Sequence, residues 1–286
     1  MIPAYAKSFT YQIPWKSSSI HSGEHRGAQR GLGFEYRGNI SLIDHPDARR
    51  IDLRQTLRDP YEQIQVKLFN QDNTTPIFAV CDCSSSMQFK GHVRKLDLAM
   101  EICASVAYSA FNAGDVFSFI AYNQQVLEDF TQPLSHHIHQ SFALIEMLKD
   151  YKQMRTDSTG IFEVPQYLSQ NRGLVFWISD FHMPLAQLEQ ALNAMSVHQI
   201  VPIVLWDDQE YKRLPKFGFG NMLDPETGMS RSIFFRESVK NNFEAAFLKR
   251  KEQLDQLFTS FDYQPIYFSD AFNAEAMGEY FEEFMG

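Results

Sequence analysis

Continuous apolar runs alternate with stretches of helical spacing through most of this chain. Residues 76–81 (Pro-Ile-Phe-Ala-Val-Cys), 116–122 (Val-Phe-Ser-Phe-Ile-Ala-Tyr), 173–179 (Gly-Leu-Val-Phe-Trp-Ile-Ser) and 200–206 (Ile-Val-Pro-Ile-Val-Leu-Trp) are the runs. Strands buried on both faces read this way, whereas half-exposed strands alternate. Between the first two runs, Leu96, Ala99, Ile102, Cys103, Val106, Ala107 and Ala110 recur at helical spacing within residues 92–112, and Gly114 follows as the stop. Helices are also predicted over residues 134–149 and 184–196, with a short one running to Leu168. A long amphipathic helix over 239–258 carries Phe243, Ala246, Phe247, Leu254 and Leu257. Residues 64–69 alternate and predict a strand, residues 125–130 an edge strand, and residues 265–268 a last strand. Alternation of this kind predicts an α/β fold: a doubly wound, mostly parallel sheet flanked by helices.

The two ends of the chain depart from that rhythm. Gly23, Gly27, Gly31, Gly33 and Gly38 interrupt any helical period in the first 70 or so residues. These residues read as an extended, loop-rich lead-in, while Tyr11, Ile13, Trp15, Phe34 and Tyr36 make it too apolar for disorder. The expected division is therefore an N-terminal segment, 1–72, packing on a main domain, 73–286. Beyond Asp207 the alternation loosens, and Asp224-Pro225-Glu226-Thr227-Gly228 marks a turn, with flanks suited to a hairpin. The tail from Asp270 holds five acids and no Lys or Arg, with Phe272, Met277, Tyr280, Phe281 and Phe284 between them, so a surface helix docked by its aromatic side chains is expected.

Composition narrows the function. The net charge of −9 disfavours a nucleic-acid partner, although residues 1–60 carry nine Lys and Arg against six acids. No apolar run reaches the roughly 18–20 residues that a membrane helix needs, and no basic segment precedes an apolar N-terminal core. The expected location is the cytoplasm. Cys81, Cys83 and Cys103 form no even disulfide framework and read as reduced, buried thiols.

The chemistry concentrates where the first apolar run ends. Asp82, Ser84 and Ser86 form D-x-S-x-S, three oxygen-bearing side chains within five residues. A small hard cation such as Mg²⁺ takes oxygen ligands. Ser and Asp also cap helices, so the same residues could simply start the next one. The run at 173–179 repeats the pattern and ends in Asp180. In a doubly wound sheet ligands bind beyond the carboxyl ends of the strands, where strand order reverses, and two such acids would face one cavity there. The hydroxyl-rich loop at Thr156, Ser158 and Thr159 offers a further oxygen. With no nitrogen or sulfur donor, the set favours Mg²⁺, with Mn²⁺ as the alternative. His136 and His139 could share a helical face, but no Cys or acid stands at the spacing of a structural zinc site.

The order Asp82, Ser84, Ser86, Thr156, Asp180 resembles a von Willebrand factor A-type domain with a metal-ion-dependent adhesion site. The third loop here reads Ser179-Asp180-Phe181, where many such domains have Thr-Asp-Gly. A narrower resemblance, to the bacterial domain-of-unknown-function-58 family, rests on Arg30-Gly31-x-Gly33-Phe34-Glu35, Arg50-Ile51-Asp52, Thr56-x-Arg58, Val66-Lys67-x-Phe69 and Asp224 to Gly228. Leu53 and the stretch Asp44-His45-Pro46-Asp47 depart from that family's pattern. The resemblance implies a cytoplasmic, non-enzymatic adaptor working with a MoxR-type AAA+ ATPase, with the metal gripping an Asp or Glu carboxylate of a protein partner. The competing expectation is a metal-dependent phosphoryl-transfer hydrolase with Asp82 as nucleophile.

Overall fold

A computed structural model describes residues 2–15, 25–44, 51–61, 63–151, 156–210, 218–223, 230–235 and 237–285. Its centre is a six-stranded sheet built from β3 (Pro76–Asp82), β4 (Val116–Tyr122), β5 (Gln132–Ser135), β6 (Leu174–Ser179), β7 (Gln199–Leu205) and β10 (Ile266–Phe268). The order across the sheet is β10-β7-β6-β3-β4-β5, and only β5 runs antiparallel to its neighbour. The four continuous apolar runs are the four central strands. Their burial on both sides explains why they lack alternation: Ile77, Ala79 and Cys81 enter one core while Phe78 and Val80 enter the other.

Helices cover both faces. On the first face lie α2 (Lys95–Asn112), α3 (Ile138–Leu148) and α6 (Ala274–Phe284), which contribute Leu96, Ile102, Phe142, Met277 and Phe281 to one core. On the second lie α4 (Leu185–Ala194) and α5 (Glu237–Ser260), with Leu188, Leu192, Leu254 and Phe258. Gly114 takes φ 73° just beyond α2, the left-handed conformation that ends a helix and that glycine adopts without steric cost. The connection from β3 to β4 runs through α2 and that from β6 to β7 through α4. Chain order therefore reverses between β3 and β6, which pair directly from Ile77 with Leu174 to Cys81 with Ile178.

The N-terminal stretch corrects the loop-rich expectation. β1 (His25–Ser41) pairs antiparallel with β2 (Gln65–Asn73), and a short helix, α1 (Leu53–Thr56), is capped by the Asp52 carboxylate. The register of β1 slips between Arg26 and Arg30, Arg30 and Glu35, and Tyr36 and Gly38, and such irregularities hide a strand period. Further upstream, Phe9 and Tyr11 are buried in the first core, and the Phe9 ring stacks on Phe281 with centroids 6.3 Å apart.

Other boundaries shift. The predicted edge strand at 125–130 is a single bridge from Tyr122 to Val126 followed by a 3₁₀ turn, Glu128–Phe130, and the true edge strand is β5. Pro133 is exposed there, as edge strands allow. The short helix expected to reach Leu168 is two 3₁₀ turns, Thr159–Phe162 and Val164–Gln166. β8 (Gly218–Leu223) and β9 (Ser230–Phe235) form the expected hairpin, and Asp224 to Gly228 lie outside the described residues. The tail forms α6 with Phe272, Met277, Tyr280 and Phe281 buried and Phe284 turned outward. No helix among the described residues is long and apolar enough to cross a membrane.

Candidate metal centre at the switch point

Asp82 is the last residue of β3, and Asp180 follows the last residue of β6, so the pairing of the two strands brings both acids to one edge of the sheet. Both are almost fully buried, at 1% and 2% exposure. Asp82 Oδ1 accepts from the Ser84 amide at 2.8 Å, and Oδ2 accepts from the Ser179 hydroxyl at 2.6 Å. The same Ser179 hydroxyl accepts from the Phe181 amide at 3.0 Å and thereby ties the two strand ends together. Serine supplies the hydroxyl here as threonine would.

The first loop leaves Asp82 and turns through a 3₁₀ helix, Ser85–Gln88. Ser84 stands at its N-cap without making a side-chain cap bond. Its hydroxyl lies 3.2 Å from that of Ser86 instead, which removes the helix-capping account of this serine. Around an octahedral ion with bonds of about 2.0–2.1 Å, adjacent oxygens stand roughly 3 Å apart, so these two hydroxyls suit neighbouring ligand positions.

Thr156 is drawn against the first loop by Ser85, a residue the spacing argument did not single out. Its amide donates to Ser85 Oγ at 2.8 Å, its carbonyl accepts from the Ser85 amide at 3.0 Å, and the two hydroxyls stand 3.3 Å apart. Thr159 instead turns to the Asp157 carboxylate at 2.6 Å. The candidate ligands thus come from three loops and are all oxygens, with His182 Nε2 standing 3.9 Å from Asp180 Oδ2 beside them. Cys83, between the serines, points its sulfur to the Cys81 carbonyl and is buried in the first core. Cys81, Cys83 and Cys103 are all free and buried.

Electrostatics divide the two acids. Burial, with the neighbouring Asp180 charge adding to it, pushes the Asp82 carboxyl up to about 7. Burial opposes ionisation of Asp180 too, but the Lys95 and His182 side chains, with the Ser86 hydroxyl nearby, outweigh it and hold that carboxyl at about 2. Lys95 was not legible as a site residue. Its ammonium lies 3.1 Å from Asp180 Oδ2 and 2.5 Å from Glu210 Oε1, and its side chain is 3% exposed. Trp206 Nε1 donates to the Asp180 carbonyl at 2.7 Å, which steadies the third loop from β7.

That loop carries a backbone feature of its own. Phe181 sits at φ 52°, a left-handed conformation that costs a non-glycine residue about 1–2 kcal/mol. Its ring is held between Trp177 and Phe258, with centroids 4.8 Å and 5.2 Å away, and its carbonyl accepts from Arg250 at 2.7 Å.

The fold and this edge define a mostly parallel α/β protein whose candidate site lies at the topological switch point. Within that class the chain belongs to the family described as "Protein of unknown function DUF58", whose model matches residues 45–253. Among solved structures, the PilB minor pilin from Streptococcus sanguinis is similar at 11% identity and a TM-score of 0.32, and an aspartate-to-alanine mutant of it at 10% and 0.34. Each match covers 78% of this chain and 64% of the pilin, so the chain spans under two thirds of that protein, and scores this low carry no inference. No curated protein matches the sequence significantly.

Proposed function

We propose that this chain is a non-enzymatic, metal-dependent protein-interaction module of the von Willebrand factor A type. Ser84 and Ser86 hold Mg²⁺, or Mn²⁺, directly; Thr156 adds a third oxygen; Asp82 and Asp180 balance the charge and orient bound waters. Bound there, the cation supplies one open position that accepts an Asp or Glu carboxylate from a partner protein. The partner proposed is a MoxR-type AAA+ ATPase in the cytoplasm, with this chain as its adaptor in assembling or remodelling a client protein. One observation carries the reading: two buried acids end neighbouring strands at the switch point and bracket the Ser84 and Ser86 hydroxyls, 3.2 Å apart. Nucleophilic phosphoryl transfer fits less well, because Asp82 is 1% exposed and both its oxygens already accept hydrogen bonds from the chain.

The test is affinity capture of such an ATPase by the native chain and by Asp82→Ala, each with Mg²⁺ and with chelator. Association that needs both Mg²⁺ and Asp82 supports the proposal. Equal capture in chelator overturns it, and turnover of a phosphate ester lost in Asp82→Ala would favour the hydrolase.

A further inference from the structure

We propose that His92, Asp207 and Asp270 form a second metal centre, suited to an imidazole-accepting transition ion such as Zn²⁺ and separate from the oxygen-only set around Asp82. Among the described residues this is the one group of three or more His, Cys, Asp or Glu side chains whose ligand atoms converge, all lying within 4.8 Å of one another. The three arrive from different parts of the sheet edge. His92 sits in the loop between β3 and α2, Asp207 two residues past β7, and Asp270 two residues past β10.

Asp207 is the anchor. It is 1% exposed, and its carboxylate is fixed by two backbone donors, Gln209 N to Oδ1 and His92 N to Oδ2, each at 2.7 Å. Each carboxylate oxygen keeps another lone pair, so the group is oriented before any ion arrives. The loop can approach this closely only because residue 91 is glycine: a Cβ there would lie 2.0 Å from Asp207 Oδ2. That approach delivers His92 Nδ1 to 3.3 Å from Asp207 Oδ1 and 3.5 Å from Asp270 Oδ1. Both separations exceed the roughly 2.9–3.0 Å of a good N–H···O bond. The imidazole faces both acids without closing on either.

A cation between these two carboxylates would offset their mutual repulsion. Lys95 is committed to Asp180 and Glu210, and the described ion-pair contacts of Asp207 and Asp270 are with His92 alone. A neutral imidazole and two carboxylates match a divalent ion in charge, and a mixed nitrogen and oxygen set suits Zn²⁺ better than Mg²⁺. The His92 and Asp270 side chains are 33% and 58% exposed, which leaves the outer side of the site open to water.

Zn²⁺ titration of the full chain against a chromophoric chelator tests this, using the native sequence, Asp82→Ala, His92→Ala and Asp270→Asn. One saturable Zn²⁺ equivalent is expected in the native chain and in Asp82→Ala, weakened at least about tenfold in His92→Ala and Asp270→Asn. Both altered side chains reach solvent, and unchanged circular dichroism confirms that the variants fold. Co²⁺ in place of Zn²⁺ adds a second readout, visible absorption that His92→Ala removes. Absence of saturable Zn²⁺ uptake, as a plain ion pair between protonated His92 and the acids would give, overturns the proposal. Native-like uptake by His92→Ala and Asp270→Asn, or loss in Asp82→Ala alone, does so too.

Discussion

The Lys95 ammonium lies 3.1 Å from the Asp180 carboxylate, and each side chain is 3% exposed. A buried ion pair does not by itself stabilise a fold strongly, but removing one partner strands the other charge, typically at a cost of about 3–5 kcal/mol. Lys95→Met should therefore lower the melting temperature clearly in chelator. It should also free the Asp180 carboxylate of the Lys95 charge, so Mg²⁺ should raise the variant's midpoint more than the native chain's. Calorimetry of both proteins with and without Mg²⁺ checks this, and an equal Mg²⁺ shift would count against a metal beside Asp180.

The pH response follows from the opposite displacements of the two acids. Asp82 is raised to about 7, so the folded chain holds its proton more tightly than the unfolded chain does. Its stabilising contribution is complete below the unfolded value of 3.8 and is lost as pH rises through about 7. Asp180 is depressed to about 2, so its contribution is complete above 3.8 and lost as pH falls towards about 2. In chelator, Asp82 should make the protein less stable at about pH 8 than at about pH 5. Mg²⁺ should reverse that trend because it favours the ionised carboxylate. Chemical denaturation at the two pH values, with and without Mg²⁺, reads both effects.

Phe181 sets backbone strain against ring packing. Truncating the ring should cost about 3–5 kcal/mol, more than relief of φ 52° returns, so Phe181→Gly should destabilise. Glycine nevertheless tolerates that φ and alanine does not. Phe181→Gly should be the more stable of the two truncations by about 1 kcal/mol, the reverse of their order in an ordinary helix or strand. Urea melts of the two variants decide it, and a more stable Phe181→Ala would mean that the left-handed conformation is not retained.

Gly91→Ala should press a methyl group into the Asp207 carboxylate, since a Cβ there would lie 2.0 Å from Oδ2. Overpacking of this kind costs about 1–3 kcal/mol. The shift should also loosen the His92 amide bond to Asp207, so thermal melting and Zn²⁺ affinity should fall together.

The central sheet was legible because strands buried on both faces are apolar at nearly every position, and residues 76–81 and 174–178 are apolar throughout. Asp82 and Asp180 stood out as the charges that end those runs. β1 was not legible: its glycines read as loop, and its register slips break the two-residue period that marks a strand. The edge strand was misplaced because Gln125 to Phe130 are apolar enough to pair, while the four residues that do pair with β4 include an exposed proline. Lys95 at the start of an amphipathic helix reads as a solvated residue, and only the fold places Glu210 and Asp180 around it. His92, Asp207 and Asp270 are too far apart in sequence for any spacing to join them.

Cys81 and Cys83 flank Asp82 along the backbone, and both sulfurs are sealed in the core. A thiol reagent can reach them only when the end of β3 comes away from its neighbours, an event whose frequency is set by local opening rather than by thiol chemistry. The strand that carries the acid thus contains its own clock. Timed modification of these thiols would count how often the switch point breathes, and a cation seated on Ser84 and Ser86 would slow that count without any partner being present.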